Sequence, residues 1–199
     1  MNTENITLCL TIGKRPEELR KTLESILSQL RFEHIIAIND FRDEETSQVF
    51  RELCPHGILI VQSEQVGHHR AVDLMYSQVK TPYVFHCEDD WFFDQPLQLD
   101  KYIDLLNNDP NANIVCLRKV SNFILTEEQQ KKVKYYETKP LSTARLDYTH
   151  AKWHGYTFNP HIARIETWKK TGGFCNFKKE RDVSIFFRSQ GKYNLFLKE

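Results

Sequence analysis

Ahead of Trp91 the chain alternates four short apolar runs with three stretches of helical periodicity, and few folds accept that order. Ile6 to Thr11 is a β-type run broken by Gly13. Pro16 then opens a pattern that puts Leu19, Leu23, Ile26, Leu27 and Leu30 on one helical stripe, and proline suits a first turn. Residues 35–38 read as the next strand. Asp43, Glu44 and Glu45 begin a second helix, negative charge at its positive end, with Val49, Phe50 and Leu53 inward. Residues 58–61 follow as a third strand, 70–78 as a third helix, and 82–88 as a fourth strand. Strands that are apolar throughout belong to a parallel sheet covered on both faces. In such sheets ligands sit beyond the carboxyl ends of the strands.

The fourth run flows directly into Glu88, Asp89 and Asp90. Adjacent like charges repel, and a buried carboxylate is costly without a partner. A hard divalent metal with oxygen ligands would compensate them; an acidic, solvent-exposed turn is the competing reading. Thr11 and Asp40 end the first two strands, so the expected topology carries them to the rim that holds the acidic triplet. That convergence favours the metal site.

Past the triplet the regularity fades. Residues 96–108 look helical and 114–117 form another apolar run, but 118–152 are polar and irregular apart from a capping box at Thr126 and Gln129. A second block resumes at Trp153, a helix over 165–171 stops at Gly172 and Gly173, residues 182–189 carry Val183, Phe186 and Phe187 inward, and 193–197 read as a last strand.

Composition narrows function mainly by exclusion. Lys plus Arg equal Asp plus Glu at 27 each, which suggests no nucleic-acid partner. No apolar run reaches the ~18 residues of a membrane span. Residues 1–5 lack the features of a signal peptide, and the five scattered cysteines form no Cys-x-x-Cys pair, so a reducing, cytoplasmic setting is expected. Lys169, Lys170, Lys178 and Lys179 offer a basic patch to an anionic membrane surface, or simply a solvated face. No dinucleotide or P-loop signature is present, and the first strand-to-helix turn, residues 11–15, is basic rather than glycine-rich. That turn argues against a nucleotidyltransferase.

Several phrases carry a family resemblance. They are Leu10-Thr11 closing the first strand, Ser25-Ile26-Leu27-Ser28-Gln29, Ile38-Asn39-Asp40 followed by Asp43 to Thr46, and Glu88-Asp89-Asp90. Gly172-Gly173-Phe174 and Asp182-Val183-Ser184 with Arg188 and Gly191 continue it more faintly. Together they resemble a family 2 glycosyltransferase with the GT-A fold, an α/β domain with a mostly parallel central sheet flanked by helices. The resemblance implies one domain over residues 1–199, with 1–93 as the nucleotide-binding half and 94–199 as the acceptor-side half.

The roles it implies fall on particular positions. Thr11 and Asp40 would contact the base of a nucleotide-sugar donor, most readily UDP-linked, with Arg15 near the base or diphosphate, Asp89 facing the ribose and Arg70 supplying a basic position. Asp90, supported by Glu88, would hold Mn2+ or Mg2+, and His154 would be a late third ligand or a packing residue. Cys87 stands where many members carry an acid. Asp182 would be the base of an inverting transfer, with Glu180 as fallback; a helix-terminal acid is the rival role for both. Trp91 and Trp153 would be sugar-stacking walls or core. The expected acceptor is a glycan or glycolipid hydroxyl. A non-catalytic nucleotide-sugar-binding module is the alternative.

Overall fold

The structure is a computed structural model that describes residues 3–137 and 141–198. The first half builds β1 (Ile6–Ile12), α1 (Pro16–Leu27), β2 (His34–Asn39), α2 (Glu44–Leu53), β3 (Ile58–Ile60), α3 (His68–Tyr76) and β4 (Tyr83–Glu88). These strands pair in parallel in the order β3-β2-β1-β4. Successive residues of β1 explain why its run is apolar throughout: Leu8 and Leu10 join one core cluster and Cys9, between them, joins the other. Leu19, Leu23 and Ile26 of α1 and Phe50 of α2 complete the first cluster, whereas Val72 and Met75 of α3 complete the second. Cys87, fully buried in the first cluster, is a core residue that burial holds as a thiol.

The second half adds α4 (Leu99–Asn108), β5 (Ala112–Cys116), α5 (Glu127–Lys132), β6 (Lys134–Tyr136), β7 (Thr143–Arg145), β8 (His161–Arg164), α6 (Ile165–Lys169), α7 (Glu180–Ser189) and β9 (Tyr193–Leu197). One nine-stranded sheet results, ordered β3-β2-β1-β4-β8-β5-β9-β7-β6. Here the pairing is mixed. β8 enters antiparallel between β4 and β5, β5 and β9 run parallel, and β7 and β6 close the edge antiparallel. Three of these strands, β6, β7 and β8, are only three or four residues long and carried no periodicity to read. The expected capping box is present, with Gln129 N–H donating to Thr126 Oγ1 at 3.2 Å and Thr126 N–H to Gln129 Oε1 at 3.0 Å.

Register matters most at the carboxyl ends of the first-half strands. Thr11 lies between Ile38 of β2 and Glu88 of β4, so the ends of three strands form one rim. No helix among the described residues is long and apolar enough to cross a membrane.

Candidate active site

Carboxylates shape the first loop on this rim. Gly13 N–H donates to Asp89 Oδ2 at 2.8 Å, Lys14 N–H donates to Asp43 Oδ1 at 2.7 Å, and the Arg15 guanidinium pairs with Asp90 while lying 3.6 Å from Asp89 Oδ1. Gly13 is required by space, because a Cβ there would stand 2.3 Å from the Phe41 ring. Asp43 also caps α2 by accepting from Thr46 N–H at 3.0 Å. On the other side of the loop, Thr22 of α1 donates its hydroxyl to the Asp89 carbonyl at 2.9 Å and accepts from Trp91 N–H at 3.1 Å. The acidic turn is therefore fixed by the helix that β1 feeds.

The three acids of the triplet differ in environment. Asp90 is exposed, and its only ion pair among the described residues is with Arg15. Asp89 is buried, which raises its pKa, while the Gly13 N–H and Arg15 pull it back. Burial pushes the Glu88 carboxyl up to about 7; the Trp91 indole N–H, 3.4 Å away, opposes the shift, and the charges of Asp90, Glu180 and Asp89 reinforce it.

Glu88 and Asp89 line a cleft of about 300 Å³ with Thr11, Arg15 and Asp40. Five residues assigned from sequence thus meet in one place. Asp40 also has a structural task, since its two oxygens accept from Val66 N–H at 2.8 Å and Gly67 N–H at 2.9 Å. Those bonds hold the entry to α3, where Gly67 adopts a φ of 84° that favours glycine. Arg70 is exposed on α3 and does not line the cleft; His68, two residues earlier, does. The helix begins two residues before its expected start, and two positions along a helix point to nearly opposite sides. Phe41 and Gln65 line the cleft as well, and no motif pointed to them.

The second half supplies a neighbouring cavity of about 320 Å³ whose lining includes Arg118, Phe123, Trp153, His154, Thr157 and Glu180. Glu180 is the first residue of α7. Burial raises its pKa, and the nearby Thr157 hydroxyl, Phe158 N–H and His69 ring oppose that. It lies close enough to Glu88 for its charge to raise the Glu88 pKa. Asp182 behaves otherwise, turning back to accept the Lys179 N–H at 3.2 Å at the start of the same helix.

His154 lines the second cavity, apart from the acidic triplet. Its backbone has a φ of 71°, its ring sits edge-on to Phe123 and Phe196, and burial holds its pKa down to about 4. Trp91 packs against the first core cluster and Trp153 is exposed at the second cavity.

Among the described residues no group of three or more His, Cys, Asp or Glu side chains converges as a ready-made metal cage. The donor chemistry nevertheless suits a hard divalent ion. Mg2+-like ions are commonly held by one or two carboxylates together with substrate phosphates, and an exposed Asp90 beside the cleft offers such a carboxylate.

The signature described as "Glycosyl transferase family 2" matches residues 8–172, which takes in the cleft and its acidic triplet. The chain belongs to this family. A comparison with curated protein sequences found no match. Among solved structures, the mannosyltransferase PcManGT from Pyrobaculum calidifontis matches with a TM-score of 0.69 at 12% identity, over 98% of this chain and 54% of that one. TarS 1-349 from S. aureus matches with a TM-score of 0.65 at 11% identity, over 98% and 58%. GalNAc-T7 matches with a TM-score of 0.69 at 10% identity, over 98% and 42%. These likenesses show the GT-A fold, and the chain spans about half the length of the proteins it matches.

Proposed function

We propose that this family 2 glycosyltransferase moves a sugar from a nucleotide-sugar donor to an acceptor hydroxyl in one inverting step, with Glu180 as the base. The observation that carries the reading is a pair of neighbouring cavities: one lined by Glu88 and a second lined by Glu180, close enough for the two charges to interact. Two structural relatives bind ligands of this kind. The Pyrobaculum calidifontis enzyme is in complex with GDP-Man and Mn2+, and GalNAc-T7 with UDP, GalNAc and Mn2+. We take the donor to be UDP-linked and the acceptor to be a glycan or glycolipid hydroxyl.

In this reading Thr11 and Asp40 lie along the base and Asp89 along the ribose, with His68 in the place expected of Arg70. Asp90, with Glu88 behind it, would hold Mn2+ or Mg2+, which when bound supplies Lewis-acid neutralisation of the departing diphosphate. Arg15 offers a second positive charge at the same spot. Glu180 takes the proton of the acceptor hydroxyl as that oxygen bonds to the anomeric carbon and the bond from that carbon to the diphosphate oxygen breaks. A carboxylate in water-poor surroundings is a stronger base than a free one, and burial raises the Glu180 pKa in that direction. Asp182, occupied at the helix start, is set aside as the base, and His154 as a ligand.

A thermal-shift panel of UDP, GDP, CDP and their sugars, with and without Mn2+, tests the donor side. Binding to the folded state alone raises the melting temperature by mass action. Wild type should respond to one nucleotide family more strongly with Mn2+, and Asp90→Asn should lose that metal increment while melting normally without ligand. An unchanged increment in Asp90→Asn would remove Asp90 from the metal site.

A further inference from the structure

Helix α3 belongs to the nucleotide half, yet two of its side chains reach across to the segment that leads into α7. His69 Nδ1 lies 2.8 Å from the Phe177 carbonyl. A carbonyl only accepts, so Nδ1 carries the proton and the tautomer is fixed by this bond. The same ring packs against Phe158, with centroids 5.3 Å apart, and Phe158 is one of the residues whose polar groups favour the charged form of Glu180. His69 therefore touches both approaches to Glu180: the chain three residues before it and the loop residue beside its carboxylate. Four residues on, Asp73 anchors the preceding turn by accepting from Phe174 N–H at 2.7 Å and Cys175 N–H at 2.9 Å.

We propose that His69 is a positioning residue for the base: its Nδ1–H bond to the Phe177 carbonyl and its packing on Phe158 set Glu180 at the mouth of the second cavity, opposite Glu88. The inference rests on the reading of Glu180 as the base. It assigns a catalytic consequence to a residue next to the donor cleft that lines none of it, its neighbour His68 being the one that does. The physical basis is distance. A displacement near 1 Å at a reacting group is enough to cost about 10²-fold in rate.

The test compares two replacements in the intact protein with a nucleotide-sugar donor in steady state. His69→Phe keeps a ring against Phe158 and removes the donor; His69→Asn keeps an N–H able to reach the Phe177 carbonyl and removes the ring. The Phe variant should lose roughly 10²-fold in kcat with the donor KM unchanged, and the Asn variant should recover about tenfold of that loss. If His69→Phe does not fold, His69→Leu takes its place in the same comparison. Wild-type kcat in the variant lacking the donor overturns the proposal, as does an Asn variant no better than it. A donor KM that worsens in step with kcat also overturns it, because a general loosening of α3 would do that. Failure of the underlying reading shows separately: Glu180→Gln would then turn over normally, whatever His69 does.

Discussion

The two halves of the molecule reach order by different routes. In the first half each loop on the rim is tied by neighbouring elements of the same half: Asp89 holds Gly13, Asp43 holds Lys14, Asp40 holds Val66 and Gly67, and Thr22 holds the acidic turn. In the second half Glu180, the base proposed above, follows a segment with a short 3-10 turn, and α3 provides its outside anchors. Gly155 shows how tightly the other flank is pressed. Its N–H donates to Ser184 Oγ at 2.8 Å, and a Cβ there would stand 2.3 Å from the Ser184 carbonyl oxygen. The second half is thus arranged around the first, and a change in α3 should be felt at α7.

The largest effect expected from this arrangement is a contrast between two acids on one helix. Glu180→Gln should lower transfer by about 10²–10⁴-fold, the usual range for a general base, while donor binding persists. Asp182→Asn should leave kcat within a fewfold and cost at most about 1 kcal/mol, as for a helix-terminal acid. Turnover of the donor that the thermal-shift panel selects decides it. If the two variants exchange places, Asp182 is the base and the capping bond seen here is replaced when substrate binds.

A smaller effect tests whether α3 organises the second half. Asp73 is buried, and three donors converge on it: Trp168 Nε1–H at 2.7 Å, Phe174 N–H at 2.7 Å and Cys175 N–H at 2.9 Å. Asp73→Ala strands those donors, and each buried unsatisfied group costs about 1–3 kcal/mol. A destabilisation of about 3 kcal/mol by denaturant midpoint is the expected outcome. A loss below about 1 kcal/mol would mean that water or another acceptor replaces the carboxylate easily, and that the turn does not depend on α3.

What the sequence revealed tracks the same division. Strands buried on both faces are apolar along their length, so β1, β2 and β4 were plain; Pro16 and Asp43 marked the helix starts for physical reasons the structure bears out. The triplet was conspicuous because acids rarely follow a buried run. β8 was missed because four residues, His161 to Arg164, cannot display a period, and only their position between β4 and β5 makes them a strand. Arg70 came from a family resemblance to a basic position, and no local signal marked His68, which lines the cleft instead. Between Glu180 and Asp182 the available signal was weak: an acid at the third helical position can accept the N-cap N–H, as Asp182 does from Lys179, but a full capping box would carry Ser or Thr where Lys179 stands. Asp73 had no such signal, since nothing local shows that a helical aspartate will meet three donors from a distant turn.

The smallest expected effect sets the acidic rim against the buried histidines through pH. Burial lifts the Glu88 carboxyl to about 7, so between about 4.5 and 7 the folded protein keeps a proton the unfolded chain releases. That contribution to stability is complete below about 4.5 and is lost as pH rises through 7. The imidazoles act in the opposite direction. His161 of β8, fully buried, is held down to about 4, and its stacked partner His86 on β4 is depressed by burial as well. The unfolded chain takes up protons below about 6.5 that these groups refuse, so their contribution is lost as pH falls from 6.5 towards 4. In wild type the two slopes oppose each other across pH 7 to 5. Glu88→Gln removes one of them while leaving an acceptor for the Trp91 indole. It should raise stability by roughly 1–2 kcal/mol at pH 8, where the buried charge is gone, and steepen the loss between pH 6.5 and 5. Melting temperatures at pH 8, 6.5 and 5 check both. Parallel curves for wild type and Glu88→Gln would show that Glu88 titrates as an ordinary surface acid, and the contrast between an acidic rim and a neutral histidine core would then fail at Glu88 itself.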